Sequence, residues 1–191
     1  MGLRKKIIAG ISLYCFLLAV VNAQTNQTNQ IKWSSNNADI NIRIIARTQD
    51  QMAAFYEARG FPRESIKKLK DFCFFTVGIS NKSQNIIHHN LNSWSFTSRD
   101  VHLKRFHRNT LKSFWLKAGL EKPLVATFRW TLLPEQLDFR PQESEGGNIV
   151  LSRSQHPFDI HVIFNKEKNN SLKRINIKLN KIQCADNEKE K

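Results

Sequence analysis

The feature that most constrains the fold is a period of two in the placement of apolar residues, which recurs in short segments along the chain. Phe158, Ile160, Val162 and Phe164 alternate with other residues, and such alternation puts apolar side chains on one face of a β-strand. Alternation or β-branched and aromatic content predicts further strands at residues 38–44, 73–79, 85–97, 124–132, 149–151 and 175–182. Short polar turns between several of them favour antiparallel neighbours in a β-sandwich.

Two segments carry helical signals instead. Thr48, with a glutamine three residues further on, forms a capping box, and Gly60 ends the helix that follows. Pro62 suits the first turn of a second helix, so an N-terminal helical hairpin is predicted at about residues 48–72. Apolar residues at helical spacing predict one short inserted helix at 109–119. The predicted fold class is mainly β, an antiparallel sandwich with these helices added.

One stretch resembles a known class of protein. Residues 138–151 contain the run Pro-x-x-Ser-x-Gly-Gly-Asn-Ile-x-Leu leading into a strand, and the alternating strand at 158–164 follows. This is similar to the connection before a late strand in bacterial extracytoplasmic immunoglobulin-like modules. The resemblance covers about 80 residues from Cys73 onward, with a gap at 98–120, and implies an immunoglobulin-like sandwich in a non-enzymatic scaffold. The helical hairpin and the inserted helix depart from that pattern.

The chain begins with the layout of a secretory signal peptide at residues 1–23. Three cations precede an uncharged, largely apolar run at 7–21, and small residues lead to an exit at Ala23. The run of about 15 residues is shorter than the ~20 that span a bilayer as a helix, so cleavage is favoured over the alternative of an uncleaved anchor. Bulky Tyr14 before Cys15 argues against attachment of a lipid. The protein is therefore expected outside the cytoplasm, either periplasmic or secreted.

The remainder of the chain divides by composition. A polar leader at 24–37, rich in Asn, Gln, Ser and Thr, is predicted to be flexible. A single domain is predicted at 38–185, followed by a charged tail at 186–191. No later apolar run is long enough to span a bilayer, so no transmembrane span is expected in the mature chain.

Removal of the signal peptide leaves two cysteines, Cys73 and Cys184. An even number of cysteines in an oxidising compartment favours a disulfide. The bond would close a loop of about 110 residues, which the chain-entropy model makes strongly stabilising. Two buried, unpaired thiols are the alternative.

The sequence contains no strong catalytic motif. It lacks G-x-S-x-G, H-E-x-x-H, a Walker loop and G-x-G-x-x-G. Asp159 and His161 share a strand face, but a solvent-exposed face explains them better than acid–base chemistry does. We therefore predict a protein that is not an enzyme, with no cofactor.

Basic charge gives the best functional lead. The chain has 30 lysines and arginines against 16 acidic residues, a formal net charge of +14. Clustered cations attract polyanions such as lipid head groups, acidic polysaccharide or extracellular nucleic acid, with Trp94 and Trp115 as candidate stacking partners. The predicted contact residues are Arg63, Lys67, Lys68, Lys104, Arg105, Arg108 and Lys112. The predicted function is an exported binding or assembly module that engages a protein or an anionic surface. A charged face that only keeps the protein soluble is the alternative reading of these residues.

Histidines support a different function. His88 or His89, brought together with His102 and His107, would offer imidazole ligands suited to Zn, Cu or Ni. A periplasmic metal-binding protein is therefore the alternative hypothesis. Scattered surface histidines explain the same residues without a metal.

Overall fold

The structure, a computed structural model, describes residues 31–99, 101–169 and 171–186. The strands are β1 Lys32–Asn36, β2 Ile40–Arg47, β3 Phe72–Asn81, β4 Ile87–Asn90, β5 Ser95–Ser98, β6 Val101–His102, β7 Gln136–Phe139, β8 Ser144–Ser152, β9 Phe158–Lys168 and β10 Ser171–Ile182. The helices are α1 Gln49–Glu57, α2 Arg63–Lys67, α3 Arg108–Lys117 and α4 Lys122–Trp130, with 3₁₀ helices at Lys68–Asp71 and Leu91–Ser93. The predicted signal peptide, the first part of the predicted leader and most of the predicted tail lie outside the described residues.

The strands form two antiparallel sheets, as predicted. Sheet A has four strands in the order β1-β2-β3-β8. Sheet B has six strands, and its long strand β9 pairs with β10 along one edge and with β4 and β5 along the other. β6 extends the sheet beyond β5, and β7 extends it beyond β4.

The two sheets share one apolar core, which makes the fold a β-sandwich. Ile42 and Phe75 of sheet A pack in it with Ile160 and Phe164 of sheet B, and all four are fully buried. They occupy alternate positions on their strands, so the period of two in the sequence corresponds to the inner face of each sheet.

The helices form a third layer on the other face of sheet A. Tyr56 of α1, Trp115 of α3 and Phe128 of α4 pack in a second apolar cluster with Phe74 and Val150 of the sheet. The rings of Tyr56 and Phe128 are stacked with 5.1 Å between their centroids. This layer explains why β3 begins as a continuous apolar run, because both of its faces are buried at that end.

α1 begins at the capping box read from the sequence. The Gln51 backbone N–H donates to Thr48 Oγ1 at 3.1 Å, and the Thr48 backbone N–H donates to Gln51 Oε1 at 3.2 Å. Gly60 adopts φ +80° three residues after the helix, in the left-handed region that favours glycine. These contacts satisfy donors that a helix end would otherwise leave free.

The strand predicted at 124–132 is wrong, because this segment is α4. Leu124, Phe128 and other even-numbered apolar residues suggested a period of two, but the buried residues of α4 are Val125 and Phe128. A spacing of three places those side chains on one face of a helix. The chain therefore has two helices, α3 and α4, where the sequence predicted one.

The prediction of a flexible leader is wrong for its last residues. Lys32–Asn36 forms strand β1 and pairs with β2, with Ser34 opposite Arg43. Trp33 is half-buried against the core. Backbone hydrogen bonds to β2 and this one aromatic side chain hold the strand at the sheet edge. Because side-chain composition does not report backbone pairing, the polar sequence did not predict a strand here.

The predicted Cys73–Cys184 disulfide is present. Its cysteines have their Cα atoms 5.6 Å apart and are separated by 111 positions in the sequence. Cys73 is the second residue of β3 in sheet A, and Cys184 follows β10 of sheet B. The bond therefore joins the two sheets. None of the helices in the described ranges has the length and apolar character needed to cross a bilayer.

Candidate functional site

Two of the predicted anion-binding residues are engaged inside the protein. Arg105 Nη1 lies 2.8 Å from Glu135 Oε2, and Arg105 Nη2 donates to Asn92 Oδ1 at 2.7 Å. The Arg108 backbone N–H donates to Glu135 Oε1 at 2.9 Å, and its guanidinium donates to the Leu132 carbonyl. These contacts stabilise the start of α3 and give both arginines partners within the protein, and their part in binding an anion stays a prediction.

The other predicted cations are exposed but dispersed. Arg63 and Lys67 lie on α2, where Lys67 Nζ pairs with Glu64 Oε1 at 2.8 Å, and Lys68 begins the 3₁₀ helix that follows. Lys104 Nζ lies 5.0 Å from the ring centroid of Phe106, and Lys112 is exposed on α3. These side chains belong to four different segments of the chain.

The structure does not bring the four candidate metal-binding histidines together. His88 and His89 are consecutive in β4, so their side chains leave opposite faces of the sheet. His102 is exposed on β6, and His107 Nδ1 accepts from Arg105 at 2.9 Å. Among residues 31–99, 101–169 and 171–186 no group of three or more His, Cys, Asp or Glu side chains is arranged to hold a metal ion. This arrangement gives the metal hypothesis no support.

His88 and His89 have opposite electrostatic environments. His88 Nδ1 lies 2.6 Å from Asp138 Oδ1 and its Nε2 lies 2.9 Å from Glu167 Oε1. The hydrogen bond to Asp138 is the main cause that raises the pKa of His88, with Glu167 adding to it. His89 is buried beside Trp94 and donates from Nε2 to the Pro134 carbonyl at 3.2 Å. Burial lowers the pKa of His89 to about 4.

Replacement of His89 by phenylalanine will flatten the dependence of stability on pH below neutrality. In the unfolded chain His89 takes up a proton near pH 6.5, whereas in the folded protein it does so only near pH 4. The unfolded state therefore binds more protons between these values, and stability falls as pH drops through that window. We expect this difference in pKa to lower the free energy of unfolding of the wild type by about 2 kcal/mol between neutral pH and about pH 5.

Urea unfolding of both proteins at a series of pH values measures this contribution. All other titrating groups are common to the two chains, so the difference between the two pH profiles isolates His89. Parallel profiles would show that the buried imidazole does not control acid stability.

The best candidate site is a trough on the outer face of sheet A, which the sequence reasoning missed. The helices cover only the end of this face at Phe74 and Val150. Further along, the outward residues of β3 are Thr76, Gly78 and Ser80, which are half-buried and mostly polar. Two adjoining hollows, of about 460 and 560 Å³, occupy the uncovered part. We call the two hollows together the sheet A trough.

Backbone forms the floor of the trough. The strand register aligns Ser34, Arg43, Gly78 and Gly146 in one row across β1, β2, β3 and β8. An added Cβ at Gly78 would have no atom within 4 Å. Glycine within a strand is typical of places where a ligand or another chain approaches the backbone closely.

The wall of the trough comes from α1 and α4. Trp130, the last residue of α4, is 80% exposed because the buried face of that helix is formed by other positions. The Arg59 guanidinium lies 3.5 Å from the centroid of the Phe55 ring, and Arg59 Nη1 donates to the Phe55 carbonyl at 2.7 Å. An aromatic face and a fixed cation therefore border the polar floor.

A chain of hydrogen bonds anchors Arg47, which lines the hollow beside the helices. Arg47 Nε donates to Thr76 Oγ1 at 2.8 Å, and Thr76 Oγ1 donates to Asn148 Oδ1 at 2.8 Å. Asn148 in turn contacts the hydroxyl of Tyr56, which shares a 2.8 Å hydrogen bond with Thr131 Oγ1. The chain ends inside the second apolar cluster, so the position of Arg47 is set by packed residues.

Positive charge dominates this part of the trough. Burial lowers the pKa of Arg47, and the nearby Arg43 guanidinium lowers it further, although an arginine remains charged in proteins. Lys32 and Arg59 also line the hollows, whereas Glu145 is the one carboxylate among their lining residues. An anion bound here would relieve the repulsion between the two arginines.

The stacking residues proposed from sequence were wrong. Trp94 and Trp115 are 6% and 0% exposed, respectively, and belong to the two apolar cores. Trp130 falls within the strand predicted at 124–132, so it was not among the residues predicted to stack on a ligand. A signal that could have located the trough is Gly78 within a predicted strand, but Gly146 lay in the predicted connection before a strand, and the alignment of the two glycines depends on the strand register.

Comparisons with known proteins add little to this description. No protein-family model matches the chain, and no curated protein matches it. A solved structure similar to part of it is the crystal structure of the yjhA protein from Bacillus subtilis, at 10% sequence identity. The match covers 68% of this chain and 76% of that one, with a TM-score of 0.39. A likeness at this level carries no argument about fold or function.

Proposed function

We propose that this protein is an exported, non-enzymatic binding module that holds an anionic polymer in the sheet A trough. The observation that supports it best is that Arg43, Arg47 and Arg59 line two hollows whose floor is left open at Gly78 and Gly146. Guanidinium groups match carboxylate, sulfate and phosphate geometry and form the stronger, charge-assisted class of hydrogen bond. An open floor lets an extended ligand approach these groups from solvent.

The proposed location rests on two features. Residues 1–23 have the pattern of a signal peptide, and the Cys73–Cys184 disulfide suits an oxidising compartment. The proposal includes the finer assignment of the fold as an immunoglobulin-like sandwich with an N-terminal helical hairpin. Two facing antiparallel sheets joined by a disulfide, and the succession of α1 and α2, are consistent with it.

The side chains of the trough favour binding over catalysis. A guanidinium cannot exchange a proton at physiological pH, so the arginines cannot act as acid or base. The hydrogen-bond chain from Arg47 ends on the Phe128 carbonyl, to which Thr131 Oγ1 donates at 2.7 Å. Such an arrangement orients a donor group without activating a nucleophile.

Replacing Arg43 and Arg47 together by glutamine will weaken polyanion binding at least tenfold at about 100 mM salt, because two charge-assisted hydrogen-bonding groups are lost. The probe is polygalacturonate, and the protein is purified from a host that exports the full chain. The matched control is Lys112→Gln with Lys117→Gln, which removes the same charge from α3. Calorimetric titration over a range of salt concentrations measures both affinity and its salt slope.

The control should stay within about twofold of the wild type, since its lysines lie outside the trough. An equal loss in both double variants would mean that net charge alone attracts the polymer, which contradicts a localised site. Absence of binding by the wild type at low salt would also overturn the proposal.

A further inference from the structure

We infer that the ligand of the trough is an acidic polysaccharide, with a sugar ring stacked on Trp130 and its acidic groups paired with Arg47 and Arg59. This inference rests on the function proposed above and specifies its ligand. It is argued from three properties of the trough: one exposed aromatic face, a set of short polar side chains, and arginines in both hollows.

Trp130 provides an isolated aromatic platform. The indole is 80% exposed and lines the same hollow as Arg47, Arg59 and Asn148. The other aromatic ring of that hollow, Phe55, has one face covered by the Arg59 guanidinium at 3.5 Å. A sugar ring has an apolar C–H face and a polar edge, so it can cover an indole while its hydroxyls reach hydrogen-bonding groups beside it.

The far hollow is lined by groups suited to hydroxyls. Ser34, Asn36, Asn41, Ser80 and Ser144 line it and both donate and accept hydrogen bonds. Because these side chains are short, they project little from the sheet. The row of residues across β1, β2, β3 and β8 is about 14 Å long at the usual strand spacing. A short stretch of polysaccharide fits that length and that mixture of donors and acceptors.

The charges distinguish this ligand from a nucleic acid. A single-stranded nucleic acid is normally held by cations that track every phosphate and by several stacking rings. Here the four lining cations are divided between the hollows, Arg47 and Arg59 in one and Lys32 and Arg43 in the other. Trp130 is the one exposed ring among the lining residues, and Glu145 lines the same hollow as Lys32 and Arg43. A carboxylate accepts from sugar hydroxyls but repels a phosphate backbone, so an alternation of acidic and neutral groups suits the trough better.

Two substitutions test the inference without disturbing the fold. Trp130→Ala removes an exposed side chain, and Gly78→Val adds a side chain where the floor has open space. Leu116→Ala, at a residue 41% exposed on α3, is the matched control for loss of apolar surface. Urea unfolding of each variant checks that its stability is retained.

The probes for calorimetric titration are polygalacturonate, neutral dextran, single-stranded RNA and vesicles containing anionic lipid. We expect wild-type protein to bind polygalacturonate most tightly. Trp130→Ala and Gly78→Val should each weaken this binding about tenfold. The first removes the surface on which the sugar ring stacks, and the second fills space that the polysaccharide would occupy on the floor of the far hollow. The salt slope for Trp130→Ala should equal that of the wild type, because no charge has changed. Leu116→Ala should bind as the wild type does.

The failures of the inference and of the proposed function give different results. If all polyanions bind alike and Trp130→Ala has no effect, the inference is overturned while the proposed function stands. Tighter binding of RNA or vesicles than of polygalacturonate, lost in Arg43→Gln with Arg47→Gln, also overturns the inference and keeps an anionic ligand. If none of the charged probes binds to the wild type, both are overturned.

Discussion

Reduction of the Cys73–Cys184 disulfide will lower the free energy of unfolding by about 4 kcal/mol, the largest single effect expected in this protein. The bond joins residues 111 positions apart, so in the unfolded chain it closes a long loop and removes much conformational freedom. It also connects β3 of sheet A to the segment that follows β10 of sheet B. Urea unfolding with and without a reductant measures the effect.

The matched control is the double variant Cys73→Ala with Cys184→Ala. Its stability should resemble that of the reduced wild type and should not respond to the reductant. A wild type whose unfolding midpoint is unchanged by complete reduction would show that the bond does not constrain the chain as argued.

Gly147→Ala is expected to destabilise the protein by about 3 kcal/mol, through overpacking against backbone. A Cβ at this position would lie 2.4 Å from the Leu133 nitrogen and 2.6 Å from its Cα. The backbone cannot retreat easily, because Leu133 N–H donates to the Asn148 carbonyl at 3.0 Å. The Asn148 N–H donates back to the Thr131 carbonyl at 2.8 Å, so a shift would break two hydrogen bonds beside the core.

Gly78→Ala is the control, since it adds the same methyl group to the neighbouring strand in open space. Its stability should equal or slightly exceed that of the wild type, because alanine suits a strand better than glycine does. Thermal and urea unfolding compare the two variants. Similar stabilities for both would show that the 131–133 segment adapts and that Gly147 is not required there.

The parts of this fold that follow from sequence are those set by local or simple rules. The alternation in Phe158–Lys168 reports its buried face directly, and the capping box at Thr48 locates a helix start. The disulfide followed from counting cysteines in a chain with a predicted export signal. Each of these signals depends on residues that are close in sequence or on a pairing with one possible solution.

The segment at 124–132 shows why a local pattern can mislead. Leu124 and Phe128 are four residues apart, a spacing that fits both a strand face and a helix face. Val125, which is buried in the structure, belongs only to the helical pattern. The distinction depends on which residues the rest of the protein covers, and the sequence segment alone does not contain that information.

The candidate site was missed for a related reason. Its residues come from four strands and two helices, and Gly78 faces Gly146 only because β3 pairs with β8 in one register. Arg105 and Arg108 looked like surface cations because their carboxylate partner, Glu135, lies far along the sequence. Charge counts identify a basic protein, but they do not show which cations remain free to bind a ligand.

The pairing of β3 with β8 also has a consequence for the time course of folding. β2 and β3 can pair soon after they are synthesised, but β8 follows more than sixty residues later, after β4 to β7, α3 and α4. Until then one edge of β3, with its apolar first residues, has unsatisfied backbone groups that can pair with another chain. The chain must therefore be made as far as β8, which ends at Ser152 of 191 residues, before this edge of β3 is protected.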